Sequence, residues 1–344
     1  MTKPDRQSDK PKLGFGYLYD FRNPDQWRRP WDEVYSETLD LVAWSENAGF
    51  VGAWVPEHHG AADGYLPAPN LALAAMAART TTIRLGAAIA IAPLYHPVRF
   101  AEECAFLDIL SNGRLETAVA LGYRRREYDM HGEEFRQRGN RFDEFLRIVR
   151  GLWAGETVNF TGRHYTVTGA RIVPAPPRGT IPLYIGGFTE RALERVAEYA
   201  DGFLGNEEVC DLYLAKLAER GKDPAGAALR VPALFFTVAE DPDKAMDELA
   251  PYYHHVFECY AAWMGEDNAI GMENAITQSM DVETFKQSGI LQILTPEQAI
   301  EHFKQMQERV PLEHFMMMRP PGLPVERFIE YAQLFADKVI PAFA

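Results

Sequence analysis

Short apolar runs alternate with longer segments of helical period along nearly the whole chain. Strand-like runs fall at 13–21, 50–56, 83–91, 115–121, 182–186, 202–205, 231–239 and 313–319, bounded by glycine, proline or charged residues. Between them, apolar residues recur at three and four spacings over 32–47, 70–79, 97–110, 141–153, 190–200, 208–220, 241–260 and 296–310, with a last such segment at 325–339. That is the period of helices burying one face. Some runs, such as Gly86-Ala87-Ala88-Ile89-Ala90-Ile91, have no polar position. A strand of this kind belongs in a sheet covered on both faces, as parallel sheets are. About eight strand-then-helix units predict an α/β fold, a closed (β/α)8 TIM barrel with insertions, with residues 1–344 forming one domain.

Two stretches interrupt the rhythm. Residues 160–177, with Gly162, Gly169 and Pro174-Ala175-Pro176-Pro177, read as a hairpin or excursion before the fifth strand. Residues 265–293, with Met272 and Met280 among polar residues, read as an insertion between the seventh and eighth strands, either a lid or a plain surface excursion.

Composition narrows the partners. A chain of 344 residues that is 47% hydrophobic can bury a large core. Its 35 Lys+Arg against 49 Asp+Glu leave a net charge of −14, which repels a phosphate backbone and disfavours nucleic acid or an anionic membrane. A small anion can still bind through local arginines. Cys104, Cys210 and Cys259 are too scattered for a disulfide framework or a CxxC metal site, so a reducing, cytoplasmic setting is expected. No apolar stretch approaches the roughly 18 residues of a membrane span, and the polar start of the chain lacks the apolar centre of a secretory signal. A soluble, non-exported protein is the expectation.

Candidate chemistry collects where strands end, which is where parallel barrels bind ligands. The second run closes on Glu57-His58-His59-Gly60. Adjacent strand residues point to opposite faces, so one of His58 and His59 faces a cleft while the other packs. An imidazole there suits a general base or oxyanion partner, and a hydrogen-bonded structural pair is the plainer alternative. The triplet lacks the His-Glu-x-x-His spacing, and no metal is expected. His96 precedes a helix opened by Pro97, and Leu110 to Arg114 form a connector. After the fourth strand, Gly122-Tyr123 opens into Arg124-Arg125-Arg126-Glu127, an exposed-looking triple arginine in which Arg125 and Arg126 read as solvated charge. Arg141 stands where a helix begins, and a cation there opposes the helix dipole unless a bound anion offsets it, which marks Arg141 as a phosphate candidate. Tyr184 to Thr189 lead a strand into a helix through Gly186 and Gly187, where backbone N–H groups and Thr189 could hold an anion. Neither a GxGxxG nor a P-loop pattern is present, which favours a mononucleotide phosphate. His254, His255 and His302 read as helix-surface residues, and Met316-Met317-Met318 as core packing. No Gly-x-Ser-x-Gly elbow supports a hydrolase.

In this order the pieces resemble the luciferase-like flavin monooxygenases, the family of bacterial luciferase and the long-chain alkane monooxygenases. The matching residues are Val55-Pro56-Glu57-His58-His59, Leu85-Gly86-Ala87-Ala88-Ile89, His96 to Glu102, Leu107 to Arg114, Arg141 with Leu152-Trp153, Phe160-Thr161-Gly162 and Ile181 to Gly187. The resemblance implies a barrel that takes reduced FMN from a separate flavin reductase, adds O2 at the flavin C4a carbon and delivers one oxygen atom to an organic substrate, sheltered from water. By motif position His58 is the catalytic histidine at the flavin edge, with Glu57 beside it, and Ala88–Ile89 is a non-prolyl cis peptide under the ring. Arg141 and Thr189 match phosphate-holding positions, and Tyr123, Gly186, Gly187 and Phe188 join them in lining the cofactor. Leu121 replaces the arginine of luciferase and Phe188 its phosphate-contacting glutamate, which shifts phosphate contacts towards Arg124 or the N–H groups of Gly187 and Phe188. A homodimer is implied as well. The expected activity is FMN-dependent oxygenation of a small or medium apolar substrate. A deazaflavin-dependent hydride-transfer enzyme and a flavin-binding protein without turnover are the alternatives, with Glu57-His58-His59 leaning towards FMN.

Overall fold

A computed structural model describes residues 12–266 and 278–344. Eight parallel strands form the barrel: β1 (Gly14–Leu18), β2 (Gly52–Val55), β3 in two pieces (Arg84–Ala87 and Ala90–Ile91), β4 (Thr117–Ala120), β5 (Leu183–Gly186), β6 (Gly202–Leu204), β7 (Leu229–Ala233) and β8 (Leu312–Met318). Pairing runs from the first piece of β3 through β2, β1, β8, β7, β6, β5 and β4 to the second piece of β3. The ribbon therefore ends on two halves of one strand, and a bridge between Leu85 and Leu115 helps join them. The halves part at Ala88 and Ile89, which are linked by a cis peptide bond. This is the closed barrel expected from the repeat of strand and helix.

Alternation along the strands sorts the core into two layers. Phe15 and Tyr17 of β1 point outward: Phe15 meets Phe303 at a tilt and Phe335 edge-on, and Tyr17 meets Phe328 edge-on. Inside, Trp54, Ala118, Tyr184, Leu204 and Met316 form a separate buried cluster. The Trp54 indole fits because Gly16 and Gly52 carry no side chain: a Cβ on Gly52 would lie 2.1 Å from the ring, and one on Gly16 2.7 Å from it. Below, the buried Arg230 guanidinium donates to Glu116 at 2.5 Å, Glu313 at 2.9 Å and the Tyr184 hydroxyl at 2.6 Å. Charge so enclosed is tolerated only when paired this completely.

The structure departs from the sequence pattern in two places. The apolar run 231–239 is two strands: β7 ends at Ala233, a turn follows, and Phe236–Val238 pairs with Gln292–Leu294 in a separate parallel pair. Periodicity cannot reveal this break, because both strands are buried. The polar stretch after β4 folds as a short helix, Arg125–His131, and the next helix starts at Arg138, so Arg141 lies within its first turn. Of the insertion expected at 265–293, residues 267–277, Met272 among them, lie outside the described residues; the remainder holds a helix, Val282–Gln287, and the strand Gln292–Leu294. Among the described residues no helix is long and apolar enough to cross a membrane.

The 160–177 stretch does contain a hairpin, Val158–Thr161 with Thr166–Ala170, pinned to the Arg138–Trp153 helix by one side chain. Glu144 accepts the backbone N–H groups of Arg163 at 2.8 Å, His164 at 2.9 Å and Tyr165 at 3.0 Å. This seats the Tyr165 ring under the Arg141 guanidinium, 4.5 Å away. Burial works to raise the Glu144 carboxyl, but the three N–H donors hold it below its ordinary value. Its stabilising effect is therefore present above the ordinary carboxylate pKa and lost as pH falls through the depressed one. Glu144→Ala is expected to cost about 1–2 kcal/mol near neutral pH, as loss of a helix cap does. The gap between wild type and variant should close in acid, and a gap that stays constant with pH in thermal unfolding would contradict the assignment.

Candidate active site

The β2 strand delivers Glu57, His58 and His59 to the mouth of the barrel, and the side chains diverge as strand geometry requires. His58 is buried, and its Nδ1 lies 2.8 Å from Oε1 of Glu127, a fully buried carboxylate on the Arg125–His131 helix. The same oxygen accepts the His59 N–H at 3.0 Å and an Arg124 Nη1–H at 3.3 Å. Burial acts to raise the Glu127 carboxyl, but the His58 hydrogen bond and charge, the His59 N–H and Arg124 hold it below its ordinary value. With an ionised acceptor on Nδ1, a neutral His58 carries its hydrogen there and turns a bare Nε2 the other way.

Four aromatic rings surround that imidazole: Tyr65 at 4.7 Å, Trp263 at 4.8 Å, Tyr123 at 5.7 Å and Tyr260 at 6.0 Å. Tyr260 and Trp263 come from the Pro242–Glu266 helix, which forms a roof over His58. Tyr65 and Tyr260 share a hydrogen bond of 2.9 Å between their hydroxyls. Burial pushes the phenols of Tyr65, Tyr123 and Tyr260 above their ordinary value, so they remain neutral. Two guanidiniums stack into the enclosure, Arg22 4.3 Å over Tyr65 and Arg124 4.3 Å over Trp263.

Glu57 does something different from His58. Its Oε2 accepts the Ile91 N–H at 2.6 Å, and its Oε1 meets the Tyr95 hydroxyl at 2.8 Å and His59 Nε2 at 3.0 Å. Glu57 thus holds the resumption of β3 in register with the end of β2. His59 packs against Glu57 and, edge-on at 4.5 Å, against His131.

The other expected residues fall into two groups. Ala88 and Ile89 are partly open at the break in β3, and a Cβ on Gly186 would lie 3.3 Å from Ile89, so these three line one wall. Gly187, exposed Phe188 and Thr189 lead into the Glu190–Tyr199 helix, where the Thr189 hydroxyl accepts the Ala192 N–H at 3.3 Å. Arg141 belongs to the adjoining helix start. Arg195 ties the two together through Asp143 at 2.6 Å and the Gly139 carbonyl at 3.2 Å. Arg141 already donates from Nε to the Pro93 carbonyl at 2.7 Å and pairs through Nη2 with Glu133 at 2.6 Å.

Three sequence readings change. Arg124 is buried against His59, Glu127 and Trp263 rather than solvated or free for a phosphate. His255 is no surface residue: its Nε2 lies 2.8 Å from Asp63. Burial alone would lower its pKa, but Asp63 and Cys259 push it up to about 9, so it is protonated at neutral pH. Glu127 itself was hidden in a polar run, 69 positions from His58, with no local signal that the run forms a helix capped into the site.

The sequence profile of the luciferase-like monooxygenases matches residues 14–312. The oxygenase component of a flavin-dependent trigonelline monooxygenase from Acinetobacter baylyi is 33% identical over 126 residues, 36% of this chain and 35% of that one. An F420-dependent glucose-6-phosphate dehydrogenase from Amycolatopsis mediterranei is 25% identical over 326 residues, 88% of this chain and 93% of that one. Alignments to curated relatives at 30% identity or more span about half of those proteins or less. The monooxygenase RslO1 of Streptomyces bottropensis has the same fold, with a TM-score of 0.78 at 20% identity over 96% of this chain and all of that one.

Removing Glu127 takes a shared acceptor from the His58 N–H, the His59 N–H and one Arg124 N–H in a buried site. Glu127→Ala should therefore lower stability by roughly 3–5 kcal/mol, the usual result of breaking a buried charge network. Glu127→Gln keeps one acceptor oxygen and should cost less. Equal denaturation midpoints for wild type and Glu127→Ala in urea would remove Glu127 from this role.

Proposed function

The chain belongs to the luciferase-like monooxygenases, and from that membership we propose that it oxygenates a small or medium apolar organic substrate with O2, using reduced FMN delivered by a separate reductase. The observation that carries the reading is the His58–Glu127 pair, 2.8 Å apart inside an aromatic enclosure at the barrel mouth. The separate reductase is supported by the relative described as an oxygenase component. A cytoplasmic setting accords with three cysteines that are all free.

The residues present fit a flavin mononucleotide. Gly186 leaves the wall beside Ile89 and Ala120 without a side chain, where a Cβ would lie 3.3 and 3.5 Å from them. The Tyr123 hydroxyl is buried without a partner among the described residues. Ala88, Ile89 and Gly186 would receive the ring, with Tyr123 as a donor near His58. The N–H groups of Gly187 and Phe188, Thr189 and the start of the Glu190–Tyr199 helix would hold the phosphate. Arg141 would reach it through Nη1, since Nε and Nη2 are engaged.

When bound, reduced flavin supplies the electrons that split O2, one atom passing to the substrate and the other leaving as water. His58 holds or moves a proton at Nε2, because Nδ1 is committed to Glu127. Tyr65, Tyr260 and Trp263 exclude water and offer apolar area to the substrate. Glu57 acts through the backbone of Ile91, as a positioning residue. A second reading, hydride transfer with a deazaflavin, is favoured by one observation: the F420-dependent relative aligns with 88% of this chain.

The assembly in this reading is a homodimer. Phe106, Ile109 and Leu110 are exposed on one face of the Pro97–Leu110 helix, and Leu71 is exposed on the neighbouring Pro69–Arg79 helix, joined to it by an Asn70–Glu103 hydrogen bond of 2.9 Å. Apolar groups clustered this way mark protein contacts.

Anaerobic mixing with FMNH2 and with reduced F420, followed by O2 and an apolar substrate, separates the readings. Binding and oxygen consumption with FMNH2 support oxygenation; exclusive binding of the deazaflavin would overturn it. His58→Ala should slow substrate oxygenation by about 100-fold or more while the FMN dissociation constant changes little. Arg141→Ala should weaken FMN by roughly 10- to 100-fold, the worth of one charge-assisted hydrogen bond. Wild-type turnover in His58→Ala would refute its assignment. Sedimentation should show a dimer that Phe106→Asp converts to monomer, and a monomeric wild type would remove the dimer from the proposal.

A further inference from the structure

Three ligand-type side chains outside the machinery assigned above converge at the barrel mouth. Asp63 lies on the loop after β2, and His255 and Cys259 stand one turn apart on the Pro242–Glu266 helix. The Asp63 Oδ2 to His255 Nε2 distance is 2.8 Å, Cys259 Sγ to His255 Nε2 is 3.6 Å and Cys259 Sγ to Asp63 Oδ2 is 3.9 Å. We propose that Asp63, His255 and Cys259 bind a zinc-class divalent cation that pins the roof helix to the β2 loop.

The geometry suits the ion. Tetrahedral zinc, at about 2.0–2.1 Å from nitrogen or oxygen and 2.3 Å from sulfur, sets its ligand atoms roughly 3.3–3.6 Å apart. The three observed separations straddle that range, so side-chain movements of a few tenths of an ångström suffice. Two ligands four residues apart on one continuous helix share a face and are already rigidly spaced. A thiolate and an imidazole select zinc over magnesium or calcium. The third ligand has its own support, since Asp63 Oδ1 accepts the Tyr65 N–H at 3.3 Å.

Arg22 Nη1 lies 3.7 Å from Asp63 Oδ2 and opposes a cation there. Arg22 is matched by Asp20 at 2.7 Å, however. Once zinc displaces the protons of His255 and Cys259, Asp63 and the thiolate leave two formal negative charges to receive the dication. Three protein ligands leave the fourth position to water or another small donor.

The consequence lies in where the helix is held. Tyr260 and Trp263 follow directly on Cys259 and contact His58. A cation fixing His255 and Cys259 to Asp63 would fasten those rings over the imidazole, whichever flavin the barrel holds.

Metal-free full-length protein titrated with Co2+ tests this. One equivalent should bind with a thiolate-to-cobalt charge-transfer band, be displaced by Zn2+, and raise the melting temperature. Cys259→Ser, which is nearly the same size, should abolish the band and weaken zinc by more than the roughly 10- to 100-fold that changes around a metal site typically cost. His255→Ala should weaken zinc similarly, with circular dichroism confirming that both variants are folded. A wild type with no band at about millimolar Co2+, or a band that survives in Cys259→Ser, would overturn the site.

Discussion

A carboxylate without access to water must find its hydrogen bonds inside the protein, and Glu127 organises the mouth of this barrel around that need. It draws on groups from both sides of a gap: the imidazole of His58 and backbone of His59 at the end of β2, and Arg124 at the start of its own helix. It adds to the Arg124–His59 carbonyl bond and the His59–His131 ring contact that also join the end of β2 to the polar segment after β4. Its demand for donors also decides which nitrogen of a neutral His58 carries the hydrogen. A stability constraint and a chemical orientation are thus met by one side chain.

Much of the barrel was legible because burial on both faces leaves a blunt signature: strands without polar positions, separated by helices with one apolar stripe. β1, β2, β4 and β5 fall inside their predicted runs for this reason, and β8 starts one residue ahead of its run. The same signature fails where two buried strands follow one another, as at Ala233 and Phe236. The placement of His58 after a strand and of Gly186 to Thr189 in a strand-to-helix turn was legible from the same pattern. Glu127, Asp63, Tyr65, Cys259 and Trp263 were not, since nothing in their neighbours' pattern distinguishes a buried polar residue from a solvated one. Their identity as partners arises from contacts spanning up to 196 positions along the chain.

The two halves of the mouth are built on different principles. On the β2 side, charge is buried and paired: Asp20 with Arg22, Glu127 with His58, Glu57 with the Ile91 N–H. On the β5 side, glycines and a helix start present backbone rather than side chains. Backbone N–H groups recognise a phosphate without regard to the molecule attached to it. In the proposed reading, such a wall would suit a barrel whose relatives are named as flavin-dependent and as F420-dependent, with discrimination left to the residues near the reacting end.

The indole of Trp54, seated over Gly16 and Gly52, and the Arg230 cluster beneath it stopper the barrel from below. The molecule is in effect a cup. In the proposed reading, substrate and product would both pass the mouth beside His58, on the side away from that stopper. Tyr260 and Trp263, packed on His58 there, would then shape that passage as well as the site itself.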